Sequence, residues 1–207
     1  MFLGGTDTSS IAVEWAIAEL VRHPNIMRRL QEEIKSAVKG EQRIVKESDL
    51  RNLPYLQAVV KETLRLHPTV PLLARIAVEA CEIEGYYIPK NAELIVNAWG
   101  MQRDPEVWER PLDFDPDRFV GSSVDVRGSD FEVIPFGAGR RNCAGMNMAI
   151  RMVQLMVASL VHSFDLLLSN GQPPEELDMA ETFGLTMRKA EPLLVVPTAR
   201  LPFHLSN

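Results

Sequence analysis

Apolar positions recur at helical spacing in four long stretches of the chain. Between Thr8 and His23 they fall at Ile11, Trp15, Ala18 and Leu20, on related faces of one helix. Pro24 suits the first turn of a second helix, where a missing N–H costs nothing. That helix carries Met27, Leu30 and Ile34 and is expected to end near Gly40. Ser48 is placed to cap a short helix from Asp49 to Leu53. Pro54 opens a third long helix with Leu56, Val59, Val60, Leu64 and Leu66 inward. It closes before His67-Pro68, because a residue ahead of proline disfavours the helical conformation. The fourth stretch runs through Ala149, Ile150, Val153, Met156, Val157, Leu160, Val161 and Phe164. Elsewhere the pattern shortens. Val, Ile and Tyr around Glu84-Gly85 predict a hairpin, and Leu94-Ile95-Val96, Leu185–Met187 and Leu193–Val196 predict strands. Residues 104–127 are rich in Pro, Asp and Gly without periodicity, a length that marks a functional or disordered loop. The predicted fold class is mainly α with small antiparallel β-sheets.

Composition narrows this only by exclusion. At 207 residues the chain can bury a core and forms one domain or part of one. Its 22 basic against 28 acidic residues leave no footprint for nucleic acid. Two cysteines in different contexts do not suggest a disulfide framework. No run of apolar residues is long enough to cross a membrane. Met1-Phe2-Leu3-Gly4-Gly5 lacks the basic start and apolar run of a secretory signal. The four histidines, His23, His67, His162 and His204, show no metal-ligand spacing, and His67 at a helix end suits the helix dipole as a cation.

The chemistry concentrates in residues 136–145. Three glycines there, Gly137, Gly139 and Gly145, let the backbone take positive φ angles and approach a flat ligand. Cys143 stands just ahead of the fourth helix, whose N-terminal partial charge favours a thiolate. Cys81, in the strand-like Cys81-Glu82-Ile83, is expected to be a small buried hydrophobe instead.

Phe136, Gly139, Arg141, Cys143 and Gly145 match F-x-x-G-x-R-x-C-x-G, and this segment resembles the signature of the cytochrome P-450 family. The resemblance implies haem b with an axial thiolate from Cys143, a ligand that pushes electron density onto iron and favours O–O cleavage. Phe136 would shield the sulfur from water, Arg141 would meet a haem propionate, and Arg75 matches a second propionate partner. Asn142 departs from the Ile usual before Cys in such relatives. Glu62 and Arg65 share one helix face. Phe114-Asp115-Pro116-Asp117-Arg118-Phe119 resembles the family's P-x-R-F element, so Glu62, Arg65 and Arg118 are implied to form a buried structural triad behind the Cys loop. Gly4-Gly5-Thr6-Asp7-Thr8-Ser9 resembles the oxygen-activation segment. Local rules make Asp7, Thr8 and Ser9 helix caps, whereas the resemblance places them mid-helix, with Asp7 and Thr8 as an acid–alcohol pair relaying protons.

These elements occur in the family's order between Gly4 and Leu201. The chain, residues 1–207, is therefore expected to be the C-terminal portion of a single cytochrome P-450 domain, from the distal helix onward. Residues 13–20, 126–132 and 162–165 are similar to plant members, nearest to the flavonoid 3′- and 3′,5′-hydroxylases. The implied activity is insertion of one oxygen atom from O2 into an apolar or aromatic plant metabolite. Electrons would come from NADPH–cytochrome P-450 reductase, with Arg140 and Arg141 available to an acidic face of that partner. The implied location is the endoplasmic reticulum membrane, on its cytosolic face, through an anchor the chain does not carry. Two alternatives stay open: a haem-thiolate hydroperoxide isomerase or dehydratase, which Asp7-Thr8 argues against, and a haem-free helical fragment. On its own the chain is expected to be inactive, and turnover by it with reductase and NADPH would overturn that expectation.

Overall fold

The computed structural model describes residues 2–39, 43–169 and 171–201. Met1, Gly40 and His204, which enter the sequence readings above, lie outside the described residues. Five α-helices are present among the described residues: α1 (Phe2–Arg22), α2 (Pro24–Ala37), α3 (Pro54–Leu66), the single turn α4 (Ala98–Met101) and α5 (Met146–Ser163). Four two-stranded antiparallel sheets flank them: β1 (Leu72–Ile76) with β4 (Glu93–Asn97), β2 (Cys81–Ile83) with β3 (Tyr86–Ile88), β5 (Phe164–Leu168) with β8 (Val195–Ala199), and β6 (Glu181–Thr182) with β7 (Arg188–Lys189). In β1–β4 the register sets Ala74 opposite Ile95 and Arg75 opposite Leu94.

The core lies where α1, α3 and α5 meet, with α2 on their outer side. Trp15, Ala16, Leu20, Leu30, Ile34, Leu56, Val59, Val157 and Val161 are all fully enclosed there. Helix α1 is buried from Ile11 to Val21 with Glu14 alone only half-buried, so it is a central helix rather than an amphipathic surface one. Helix α2 shows the other regime, burying Leu30 and Ile34 and exposing its charged side. Pro24 and Pro54 both stand at helix starts, as expected. The free amides opening α3 are satisfied from outside: the Glu33 carboxylate of α2 accepts from Tyr55 N at 2.7 Å and Leu56 N at 2.9 Å. A negative charge at that end also meets the positive end of the helix dipole.

Several expectations need correction. Helix α1 begins at Phe2, ahead of the Thr8 start that the apolar spacing predicts, so Asp7, Thr8 and Ser9 lie mid-helix, as the resemblance implies. Packing against α3 and α5 overrides their local preference for turns. The segment expected as a helix capped by Ser48 is a 3-10 helix, Glu47–Asn52, and its opening amide at Lys46 is bonded by Asp49 at 2.8 Å. Met156 is 43% exposed, and Phe164 leaves the helix to begin β5. Leu185–Met187 forms a bend, not a strand, because the β6–β7 pair closes on either side of it. Cys81 is exposed rather than buried. Residues 104–127 are irregular but ordered by directed bonds, with one 3-10 turn at Pro116–Phe119.

Candidate functional site

Residues 136–145 turn back on themselves ahead of α5. Cys143 N donates to Phe136 O at 2.9 Å, and Gly137 N donates to Ile134 O at 2.9 Å, which closes the loop with backbone bonds alone. Gly137 has φ +73° and Gly139 φ +70°, so both adopt the left-handed region. Gly145 does not: its φ is −89°, and it serves instead as the residue before α5. A neighbouring loop demands glycine more strictly. A Cβ on Gly128, at φ +91°, would stand 2.6 Å from Gly137 O. That close approach of two backbones supports the Cys loop from behind, and nothing in the linear pattern announces it. Cys143 is a free, exposed cysteine, three residues before the first residue of α5.

The loop opens onto a cavity of about 370 Å³. Cys143 and Phe136 line one side; Gly4, Gly5 and Thr8 of α1 line it as well, with Val70, Leu73 and Arg75 along the wall. Gly4 and Gly5 leave open space where a Cβ would stand. Arg75, expected near such a ligand, lies on β1, and its Nη2 comes 3.4 Å from the place of a Cβ on Gly137. Arg75 bonds only the adjacent backbone, Ala74 O at 2.8 Å, and among the described residues no carboxylate pairs with Arg75 or Arg141. Two unpaired guanidiniums at the edge of a largely apolar cavity are an arrangement suited to a flat apolar group with acidic arms. Among the described residues no cluster of three or more His, Cys, Asp or Glu could hold a metal ion. Cys143 is the one cysteine that lines the cavity among the described residues.

The acid–alcohol pair divides. Thr8 faces the cavity, and its hydroxyl donates to Gly4 O at 2.7 Å, one turn back in α1. Asp7 is not part of the lining. Its carboxylate pairs with Arg188 at 3.2 Å and accepts from the Thr186 hydroxyl at 3.2 Å, at the edge of the β6–β7 bend. So the structure brings Thr8, Cys143, Phe136, Arg141, Gly145 and Arg75 around one space, and sets Asp7 beside it.

Behind the loop, Glu62, Arg65 and Arg118 come together. Arg65 holds Glu62 in a two-pronged pair, at 2.7 and 2.8 Å, with both side chains wholly enclosed. Arg118 Nε reaches the same carboxylate at 3.2 Å, and Asp115 N donates to it at 2.9 Å. The two guanidiniums spend their other N–H groups on backbone carbonyls. Arg65 takes Gln102, Pro111 and Asp113, while Arg118 takes Glu109, Arg110 and Asp113. One buried carboxylate with two cations thereby organises a loop that has almost no regular structure of its own.

A second buried cluster has no signature in the sequence. His67, just past α3, stacks flat on Trp15 at 3.9 Å between centroids. Its Nε2 lies 2.7 Å from Glu19 and its Nδ1 3.1 Å from Glu181, so both ring nitrogens face carboxylate oxygens. Arg103 and Trp99 also bind Glu181, at 2.7 and 2.8 Å. The partners are 48 and 114 residues from His67, beyond any local pattern. The cluster ties α1, the end of α3 and β6 together beside the cavity. Burial raises the proton affinity of Glu19, but hydrogen bonds from His23 and His67 outweigh it and hold the carboxyl at about 2, against an ordinary 4.5. Because the folded value is depressed, the stabilisation is complete above the ordinary value. It is lost as pH falls towards the folded one, and amounts to roughly 3 kcal/mol. Urea unfolding of the wild type and Glu19→Gln across that acid range should show the wild type losing stability more steeply than the variant, which still carries the depressed carboxyls of Asp49 and Glu181; parallel pH slopes would contradict the assignment.

A family model described as Cytochrome P450 matches residues 1–195. Flavonoid 3′-monooxygenase of Petunia hybrida is 58% identical over 97% of this chain and 40% of its own length. Flavonoid 3′,5′-hydroxylase 2 of the same plant is 53% identical over 98% of the chain and 40% of that protein. Iridoid oxidase of Catharanthus roseus is 51% identical over 97% of the chain and 39% of that protein. The chain spans about 40% of the length of the curated relatives it matches.

Proposed function

The chain belongs to the cytochrome P450 family, and we propose that it forms the thiolate-bearing part of a haem-thiolate monooxygenase site that hydroxylates a flavonoid. The observation that carries the proposal is the convergence on one cavity of an exposed cysteine, two guanidiniums without carboxylate partners among the described residues and the glycine-opened turn of α1. Residues 1–207 are assigned to one such domain, in part. Cys143 would hold haem b as axial ligand, and Arg75 and Arg141 would bind its two propionates. Bound there, the haem would supply reductive activation of dioxygen, with the thiolate favouring cleavage of the O–O bond.

The chain's own residues have separable tasks. Phe136, half-buried against the core, keeps water from the sulfur side. Thr8 holds a proton at Oγ1, oriented by its bond to Gly4 O. Asp7, with 42% of its side chain exposed, exchanges protons with bulk water while Arg188 and Thr186 fix its carboxylate. Glu62, Arg65 and Arg118 do no chemistry and keep the loop behind the cysteine in place. The partner supplying electrons is assigned as NADPH–cytochrome P450 reductase at the endoplasmic reticulum membrane, with the exposed Arg140 available to an acidic surface. A flavonoid is favoured over an iridoid because the relatives at higher identity are flavonoid enzymes.

The test is a reduced, CO-bound visible spectrum of the protein carrying this chain, followed by product analysis with reductase, NADPH, O2 and a flavone or flavanone. A red-shifted Soret band and a product gaining one oxygen atom are expected. Failure to take up haem, or product formation without NADPH, would overturn the proposal.

A further inference from the structure

We propose that Gln102 is a positioning residue that seats the cysteine loop on the end of α3; the inference rests on the haem-thiolate reading of Cys143. Gln102 is wholly enclosed, yet it is polar and stands in no motif. Its side chain is satisfied in three directions. Nε2 donates to Leu64 O at 3.0 Å and to Arg65 O at 2.8 Å, and Oε1 accepts from Ile134 N at 2.8 Å. The two carbonyls belong to the last turn of α3, where a helix has no partners for them. The amide orientation is dictated by those partners, since the flipped group would set N–H against N–H and oxygen against oxygen.

From Ile134 the connection continues without a gap. Ile134 O accepts from Gly137 N at 2.9 Å, and Phe136 O accepts from Cys143 N at 2.9 Å. At its other end the backbone of Gln102 is held twice: its carbonyl accepts from Arg65 Nη1 at 2.7 Å, and its N–H donates to Ala98 O at 3.0 Å. One residue therefore joins the Glu62–Arg65 pair to the loop that presents the sulfur. Burial of Val133 and Ile134 also draws this loop inward. Apolar burial is non-directional, however, and does not fix a height or a register. The hydrogen bond to Ile134 does.

Gln102→Met keeps the volume and deletes all three bonds. Hydrogen exchange of the Ile134 and Cys143 amides should quicken roughly tenfold to a hundredfold. The thiolate-ligated fraction in the reduced CO spectrum should fall, while far-UV circular dichroism keeps its helical signal. If that variant does not fold, Gln102→Glu serves. When protonated, its carboxyl accepts from Ile134 and donates to one α3 carbonyl, so amide protection and the red-shifted band should return towards wild-type values as pH is lowered. Wild-type exchange at Ile134 and Cys143 in the Met variant, or a loss of global stability with the thiolate spectrum unchanged, would overturn the inference. So would a Glu variant without pH-dependent recovery. A wild type that never shows the thiolate spectrum would instead refute the haem-thiolate reading, leaving the exchange result to judge the seat of the loop.

Discussion

Glu62→Ala is expected to cost about 3–5 kcal/mol, because it removes the one anion of a buried charge cluster and leaves a wholly enclosed guanidinium uncompensated. Domains of ordinary size have only about 5–15 kcal/mol to lose, so the variant should sit at the margin of folding. The asymmetry of the cluster sharpens the expectation. Arg65 would keep its bonds to the carbonyls of Gln102, Pro111 and Asp113, but it would lose both bonds to Glu62 and its charge would be stranded. Asp115 N would lose its acceptor as well. Glu62→Gln should do little better, since its NH2 group faces donors. Arg118→Ala should be milder than Arg65→Ala, because Arg118 Nε holds Glu62 more distantly, at 3.2 Å against 2.7 Å. Urea unfolding measures all four. An alanine at 62 within about 1 kcal/mol of wild type would mean the pair's Coulomb attraction only balances its desolvation.

Cys143→Ser should do the reverse: leave the fold alone and abolish the chemistry. The side chain is exposed, and the bond that closes the loop uses the backbone N–H of residue 143, which serine retains. Unfolding free energy should change by no more than about 0.5 kcal/mol. With no thiolate to offer, the variant should show no red-shifted Soret band in the reduced CO complex, and product with reductase and NADPH should fall below detection. Retention of that band would remove Cys143 as the ligand. Read together, the two substitutions separate holding the site from serving as it. A buried carboxylate outside the cavity lining should decide whether the segment behind the cysteine loop holds, and an exposed sulfur should decide what the cavity does.

The parts of the site legible from the chain are those written within a few residues of each other. Residues 136–145 announce themselves because a turn and its cysteine need particular residue types at fixed short spacing. Glu62 and Arg65 share a face because one helical turn separates them. The same locality explains the misreadings. The apolar spacing starts the first helix only near Thr8, and Asp7, Thr8 and Ser9 are good caps on local preference; the family resemblance alone implies their mid-helix place, because packing on α3 and α5 carries α1 back to Phe2. Phe164 continues the apolar spacing of α5, yet pairing with Ala199 draws it into β5. Leu185–Met187 has strand composition, but the bend between β6 and β7 takes it out of the ladder.

Helical period, proline position and short motif spacing are properties of neighbouring residues, and they determine the helices, the cysteine, the two arginines and the family. What they could not carry is which buried polar groups meet. Gln102 reaches Ile134 across 32 residues, and His67 reaches Glu181 across 114. A buried donor or acceptor must find its partner wherever packing sets one, because leaving it unpaired costs about 1–3 kcal/mol, more than a made bond contributes net. Those pairings depend on how α1, α3 and the loops pack in space. The seat of the cysteine and the clamp beside its cavity therefore became visible with the folded chain.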